Sequence, residues 1–237
     1  MKFSFVIPVR ITDKIRAKML WDCLESIQDQ THKNWEVIIK GTAGSGYMGP
    51  IEPSKVKYVE CADNGITDGL NQGLQYVTGD IIHWLCGDDL LGDPDTLAFL
   101  NKQFQDNKTP QWIYSNIGSI DEFGTHRDGD HGSHMCTIEE LLEHNRIGQP
   151  TVFWNRAMFE KIGYFQYTMA SDYDYWCRCY RVAKPMYTEK ILGIGRRWEQ
   201  SASHINSELV EKEAAEISTR NTVDYVLGRE PEYVSYP

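Results

Sequence analysis

Apolar residues along this chain alternate between two spacings. Short runs of β-branched and aromatic residues, bounded by Gly, Pro or Asn, read as buried strands, and apolar positions three and four apart read as helices. The first run, FSFVIPV at 3–9, is a strand stopped at Pro8, which has no N–H to give to a ladder. Residues 13–30 then carry Ile15, Met19, Leu20, Leu24 and Ile27 at helical spacing. Strands are predicted at 35–39 and 56–60, a helix at 66–76 through Ile66, Leu70, Leu74 and Val77, and a fourth strand at 81–85. Strands and helices in this alternation predict parallel βαβ units and an α/β fold with a mostly parallel central sheet.

Beyond residue 95 the pattern loosens. Helices are predicted at 95–105, 137–144, near 156–162 and over 206–227, with strands at 111–117, 151–154 and 185–192. Asp172 and Asp174 precede a further helix, and 195–203 reads as a loop with two cations, Arg196 and Arg197, near aromatic surface. The polar stretch 121–136 holds His126, His131 and His134 and reads as a surface loop with metal or acceptor binding as its rival assignment. The division expected is one domain over 1–205, in two halves (1–100 and 101–205), followed by a C-terminal helix and tail (206–237).

The stretch GDIIHWLCGDDLLGDPD at 79–95 organises the rest. An apolar strand breaks at Cys86-Gly87 into two adjacent carboxylates, Asp88 and Asp89. Acids at the carboxyl end of a strand stand where open α/β sheets bind ligands. Their mutual repulsion is relieved by a hard divalent cation. The same residues also read as a solvated acidic turn, with Asp93 or Asp95 capping the next helix. Asp172 likewise has two readings, an acid stabilised at a helix N-terminus or a catalytic base. The glycines at 41–46 lack the Lys-Ser/Thr ending of a phosphate loop and do not match G-x-G-x-x-G.

Composition narrows the class. With 41% hydrophobic and 24% charged residues among 237, the chain is an ordinary globular one. A formal charge of −10 argues against nucleic-acid binding, which wants a basic face. Six scattered cysteines form no C-x-x-C pair and read as free thiols of a reducing cytosol. The N-terminal apolar run is too short for a signal segment, and no run approaches the ~18 apolar residues of a membrane span. A cytoplasmic protein is expected, with peripheral membrane contact open to it.

Five ordered blocks together resemble the inverting family 2 glycosyltransferases of GT-A type, particularly bacterial members that build surface polysaccharides. They are FSFVIPV, SIQDQTHKNWEVII (26–39), DNGITDGLNQGLQYVTGDIIHWLCGDD (63–89), GQPTVFWNRAMFEKIGYF (148–165) and SDYDYWCR (171–178). The resemblance implies a metal-dependent enzyme moving a sugar from a nucleotide-diphosphate sugar, UDP-linked by family habit, to a hydroxyl of a glycan or lipid-linked glycan, with 1–100 as the nucleotide-sugar-binding half and 101–205 as the acceptor half. It implies that Pro8, Val9 and Arg10 edge the nucleobase pocket, with Gly41 beside them, and that Asp68 and Asn71 flank the donor. Cys86-Gly87-Asp88 stands at the D-x-D motif, making Asp88 the Mn²⁺ or Mg²⁺ ligand and Asp89 its neighbour near the sugar. Asp172 takes the place of the general base. Gln149, Arg197 and Trp198 face the acceptor and the donor phosphates.

The chain departs from the family pattern at four points. Lys40-Gly41 replaces the base-reading Asp after the second strand, Cys86 the first acid of D-x-D, Ser171 the Glu of a Glu-Asp pair, and Trp198 a late-loop His. Two rivals share the fold: a sugar-binding module without activity, and one domain of a longer polysaccharide synthase. A nucleotidyltransferase is disfavoured because Pro8-Val9-Arg10-Ile11-Thr12 has no glycine.

Overall fold

In a computed structural model of the chain, residues 1–41, 49–106, 111–127 and 135–236 are described. The first half alternates as its sequence spacing predicts: β1 (Phe3–Val9), α1 (Lys14–Gln28), β2 (Trp35–Gly41), β3 (Val56–Glu60), α2 (Ile66–Leu74) and β4 (Ile81–Trp84). A two-residue strand β5 (Leu90–Leu91) leads to α3 (Thr96–Gln105) and the long β6 (Trp112–Ile120). The second half contains α4 (Ile138–Glu143), β7 (Phe153–Asn155), α5 (Arg156–Ile162), α6 (Ser171–Val182) and β8 (Met186–Arg196). A single turn, α7 (Ala202–Ile205), precedes the C-terminal α8 (Ser207–Val226).

These strands form one sheet in the order β3-β2-β1-β4-β7-β6-β8-β5. Parallel pairing joins β3 to β2, β2 to β1, β1 to β4 and β6 to β8, while β7 runs antiparallel to both its neighbours and β5 to β8. From β1 the chain builds outward through β2 and β3, then returns to place β4 on the other side of β1. Strand order therefore reverses between β1 and β4, the point at which an open α/β sheet leaves a crevice beyond its carboxyl ends.

Alternation along β1 distributes the core between two layers. Phe3, Phe5 and Ile7 pack beneath α1 with Leu20, Leu24 and Ile27, whereas Val6 faces the opposite layer with Leu70 and Leu74 of α2. A Cβ on Gly73 would come within 2.5 Å of Val6 Cγ1, so only glycine lets α2 sit this close to β1. His83, inside β4, is a core residue: its Nδ1 lies 2.7 Å from the Val152 carbonyl and its ring stacks on Phe153. Burial pushes its pKa down to about 3, so it stays neutral.

Several boundaries differ from those predicted. The 66–76 helix ends at Leu74, and the 151–154 strand begins at Phe153 after a single 3₁₀ turn over Gln149–Thr151. Strand β8 continues to Arg196, because its far half pairs with β6 beyond a bulge and with β5. The 195–203 segment is thus a loop only after Arg196. Asp95 is the N-cap residue of α3 but makes no side-chain capping bond. On α8 the buried stripe is Glu213, Ile217 and Asn221, so one apolar residue and two polar ones face inward while Val223 and Val226 are exposed.

Candidate active site

The crevice at the strand reversal is a cleft of about 1060 Å³. Its floor comes from the ends of the two strands that part there. Pro8, Val9 and Arg10 follow β1, and Cys86, Gly87, Asp88 and Asp89 follow β4. Gly87 lies against β1 so tightly that a Cβ would meet Val9 Cγ1 at 2.7 Å. The first acidic pair predicted from sequence therefore faces the cleft rather than bulk solvent.

Asp89 is buried, and its carboxyl is pushed well above the usual range, first by burial and then by the charge of Asp88. One Asp89 oxygen accepts the Arg196 backbone N–H at 2.8 Å. The Arg196 guanidinium does not bond either carboxylate of the pair: it donates to the carbonyls of Asp88, Asp121 and Glu122 and lies 3.6 Å from Asp22. Asp88 accepts one neutral donor, the Trp198 indole N–H at 2.9 Å.

Among the described residues, Cys86, Asp88 and Asp89 form the one group of three side chains whose ligating atoms lie mutually close, within 4.8 Å. Burial and the two aspartates push the Cys86 thiol well up, and it donates to Gln149 Oε1 at 3.3 Å. A neutral thiol suits a hard cation poorly. The effective donor set is two carboxyl groups, whose mutual repulsion a divalent oxygen-liganded ion such as Mn²⁺ or Mg²⁺ would relieve.

Asp172 lines the same cleft. It lies inside the first turn of α6 rather than before it, and so does Asp174. Residues two apart on a helix point in nearly opposite directions, which separates their roles. Asp174 turns into the core toward Arg178, Arg220 and Asn221. Asp172 turns to the cleft, and burial raises its pKa to about 6, opposed by hydrogen bonds that include one from Asn145 Nδ2 at 3.1 Å. A carboxylate poised there is matched to accepting a proton near neutral pH.

If Asp172 acts as a base, activity requires its ionised form, so kcat/KM should rise through about pH 6 and level off above it. Asn145 donates to that charged form and so holds the pKa down; Asn145→Ala should move the rising limb to higher pH. A pH–rate profile of wild type and variant checks both statements.

The structure distributes the remaining sequence-predicted residues unevenly. Gln149 lines the cleft, but its amide is tied to β4 through a 2.6 Å bond to the Trp84 carbonyl. Trp198 lines it; Arg197 does not, because strand alternation at the end of β8 turns Arg196 inward instead. Asp68 and Asn71 lie outside it. Asn71 exchanges two hydrogen bonds with the Phe165 backbone, and Asp68 accepts from Tyr236 and the Asn64 backbone. Gly41 ends β2, and the cleft-lining residue there is Lys40. His126 bridges Ile120 in a hairpin, while His131 and His134, like residues 42–48 of the glycine-rich segment, lie outside the described residues.

Lys40, Arg196 and Asn145 belong to the site but were not assigned to it from sequence. Lys40, 1% exposed, gives all three of its protons to fixed acceptors: the Gly41 and Cys61 carbonyls and Asp63 Oδ2 at 2.6 Å. Its signal was a lysine inside an apolar strand run. Arg196 was read only as a loop cation beside Arg197, and Asn145 carried no signal, since each depends on where a loop returns.

Fold and site together define an α/β domain of the GT-A type with an acid-lined ligand crevice. The chain belongs to glycosyl transferase family 2, whose model matches residues 4–182, and is a glycosyltransferase. It is 25% identical over 187 residues to a PGL/p-HBAD biosynthesis glycosyltransferase of Mycobacterium bovis, covering 75% of this chain and 69% of that one. It is 26% identical to an uncharacterized glycosyltransferase of Rickettsia bellii, covering 81% of this chain but only 30% of the relative. Among solved structures it superposes on S. aureus TarS in complex with UDP-GlcNAc with a TM-score of 0.72 at 15% identity, covering 94% of this chain and 66% of TarS. The mannosyltransferase PcManGT of Pyrobaculum calidifontis, in complex with GDP-Man and Mn²⁺, gives 0.59 at 13% identity, covering 94% and 64%. At these identities the structures establish the shared fold.

Proposed function

We propose that this chain is a metal-dependent inverting glycosyltransferase that moves a sugar from a nucleotide-diphosphate donor, of the UDP-linked class, to a hydroxyl of a glycan or glycolipid. The observation that carries this reading is the meeting, in one cleft, of two adjacent, mutually repelling carboxyl groups and a separate carboxyl whose pKa burial lifts to about 6. Pro8, Val9, Arg10, Lys40 and Asp63 would receive the nucleoside, at the end of the cleft formed by β1 and β2. Asp88, supported by Asp89, would hold Mn²⁺ or Mg²⁺, which when bound supplies positive charge to a departing diphosphate. Asp172 would take the acceptor's hydroxyl proton as that oxygen attacks the anomeric carbon. A base lining the same cleft as the carboxyl pair suits direct displacement, and one displacement inverts the configuration.

All six cysteines are unpaired, which supports a reducing, cytoplasmic setting. Among the described residues no helix is long and apolar enough to cross a membrane, so a lipid-linked acceptor would be met at a membrane surface. Incubation with a panel of UDP- and GDP-hexoses, with and without Mn²⁺, tests the proposal by nucleoside diphosphate release. Metal-stimulated release from one donor is expected, and Asp88→Ala should abolish both the stimulation and most donor affinity. Donor binding that is identical with and without metal, and unaltered in the variant, would overturn the metal assignment; binding without any turnover would mark an inactive sugar-binding module.

A further inference from the structure

The loop after β8 closes on Asp88 through one side chain. Trp198 donates its indole N–H to Asp88 Oδ2 at 2.9 Å, and the ring is itself held from behind. The Arg16 guanidinium stacks over it with Cζ 4.9 Å from the ring centroid, and the same guanidinium donates to Gln200 Oε1 at 3.3 Å in the same loop. Arg16 is fixed in turn by an ion pair to Asp13, the N-cap of α1. A turn closed by Ser201 N–H on the Trp198 carbonyl completes the support. Asp88 is thereby gripped at both ends, its carbonyl by Arg196 Nε at 2.8 Å and its carboxylate by the indole.

An ionised carboxylate offers about four lone-pair positions, of which the indole occupies one. Oδ1 and the remaining position on Oδ2 stay available. A neutral donor fixes the rotation of the carboxylate without neutralising it, as an arginine in the same place would. Aligning a ligand while leaving its charge intact is the function of groups that surround metal ligands in proteins.

We infer that Trp198 is a positioning residue for the cation: its N–H, backed by Arg16, holds the Asp88 carboxylate in the orientation that binds the metal. This rests on the metal reading proposed above. The indole bond and the cation are then compatible, and the loop that carries Trp198 is coupled to metal occupancy through Asp88.

The test is Mn²⁺ affinity, read from the electron paramagnetic resonance signal of free Mn²⁺ in the absence of any sugar donor. Wild type should bind, Asp88→Ala should not, and Trp198→Phe, which keeps a ring for Arg16 but removes the N–H, should bind about 10–100-fold more weakly. Trp198 is only half-buried, and an unchanged melting temperature verifies the fold of the variant. If Trp198→Phe binds Mn²⁺ as wild type does, or more tightly, the inference fails while the metal reading stands. If wild type binds no Mn²⁺, either alone or with a nucleoside diphosphate present, the metal reading fails and takes the inference with it. A second measurement needs no folded variant: the Trp198 indole N–H resonance of the wild type should remain protected from solvent exchange when Mg²⁺ saturates the site. Loss of that protection would show the bond breaking as metal binds, and would also overturn the inference.

Discussion

Asp172→Asn should lower turnover by about 10²–10⁴-fold, the range a positioned general base contributes, while leaving donor and metal binding intact. The amide keeps the shape of the side chain and cannot take up a proton at neutral pH. Asp172 is suited to the base role by its surroundings. It lies in the first turn of α6, where the helix dipole favours negative charge, yet burial outweighs that effect and lifts its pKa to about 6. The nearby aspartates serve differently. Asp89 is pushed up by burial and by Asp88, a pairing that a cation would relieve, whereas Asp172 lacks a second carboxylate among the causes of its shift. Steady-state rates with donor titrations on the same samples separate the two effects. Turnover near the wild-type rate in Asp172→Asn would remove Asp172 from the mechanism.

The second large effect concerns stability. Asp174 is fully buried and accepts from Arg178 Nε at 2.9 Å, from Arg220, and from Asn221. Arg178 is itself 4% exposed and also donates to the carbonyls of Ile162 and Tyr164. Asp174→Ala would leave that guanidinium buried without its counter-charge, a loss of about 3–5 kcal/mol. Against a total stability of about 5–15 kcal/mol this is a severe cost, and at this chain length it corresponds to a fall in melting temperature of roughly 10 °C or more. The damage should spread to the site, because the same network ties α8 to α6. Glu213 of α8 accepts the backbone N–H groups of Thr168, Met169 and Ala170, just ahead of Asp172. Thermal unfolding of Asp174→Ala checks this; a melting temperature within a degree or two of wild type would contradict it.

These two acids also mark what could be read from sequence. S-D-Y-D placed two carboxylates just ahead of a helix, with no sign that both fall in its first turn on opposite faces or of which one meets the cleft. That was decided by Arg178 and Arg220, the latter 46 residues away on α8. The first half was legible because each strand and helix buries a local apolar pattern; β1 and β3 have the bounds predicted, and the acids after β4 fall at the strand-order reversal. The second half was less so. Strand β7 has three residues, too few to show alternation, and β8 extends past its apolar run because β6 supplies backbone partners. Asp68 and Asn71 were assigned to the donor by family resemblance alone, and in the structure Phe165 and Tyr236 arrive from distant segments to engage them. Side-chain partners contributed by returning loops leave no local trace.

The most direct test of the central claim is a crystal structure with Mn²⁺ and the donor that supports turnover. The account predicts a Mn²⁺ anomalous peak bound by Asp88 and by the donor diphosphate, with the anomeric carbon presented toward Asp172. A nucleotide seated away from this cleft, with Asp88 and Asp89 touching neither ion nor phosphate, would contradict it.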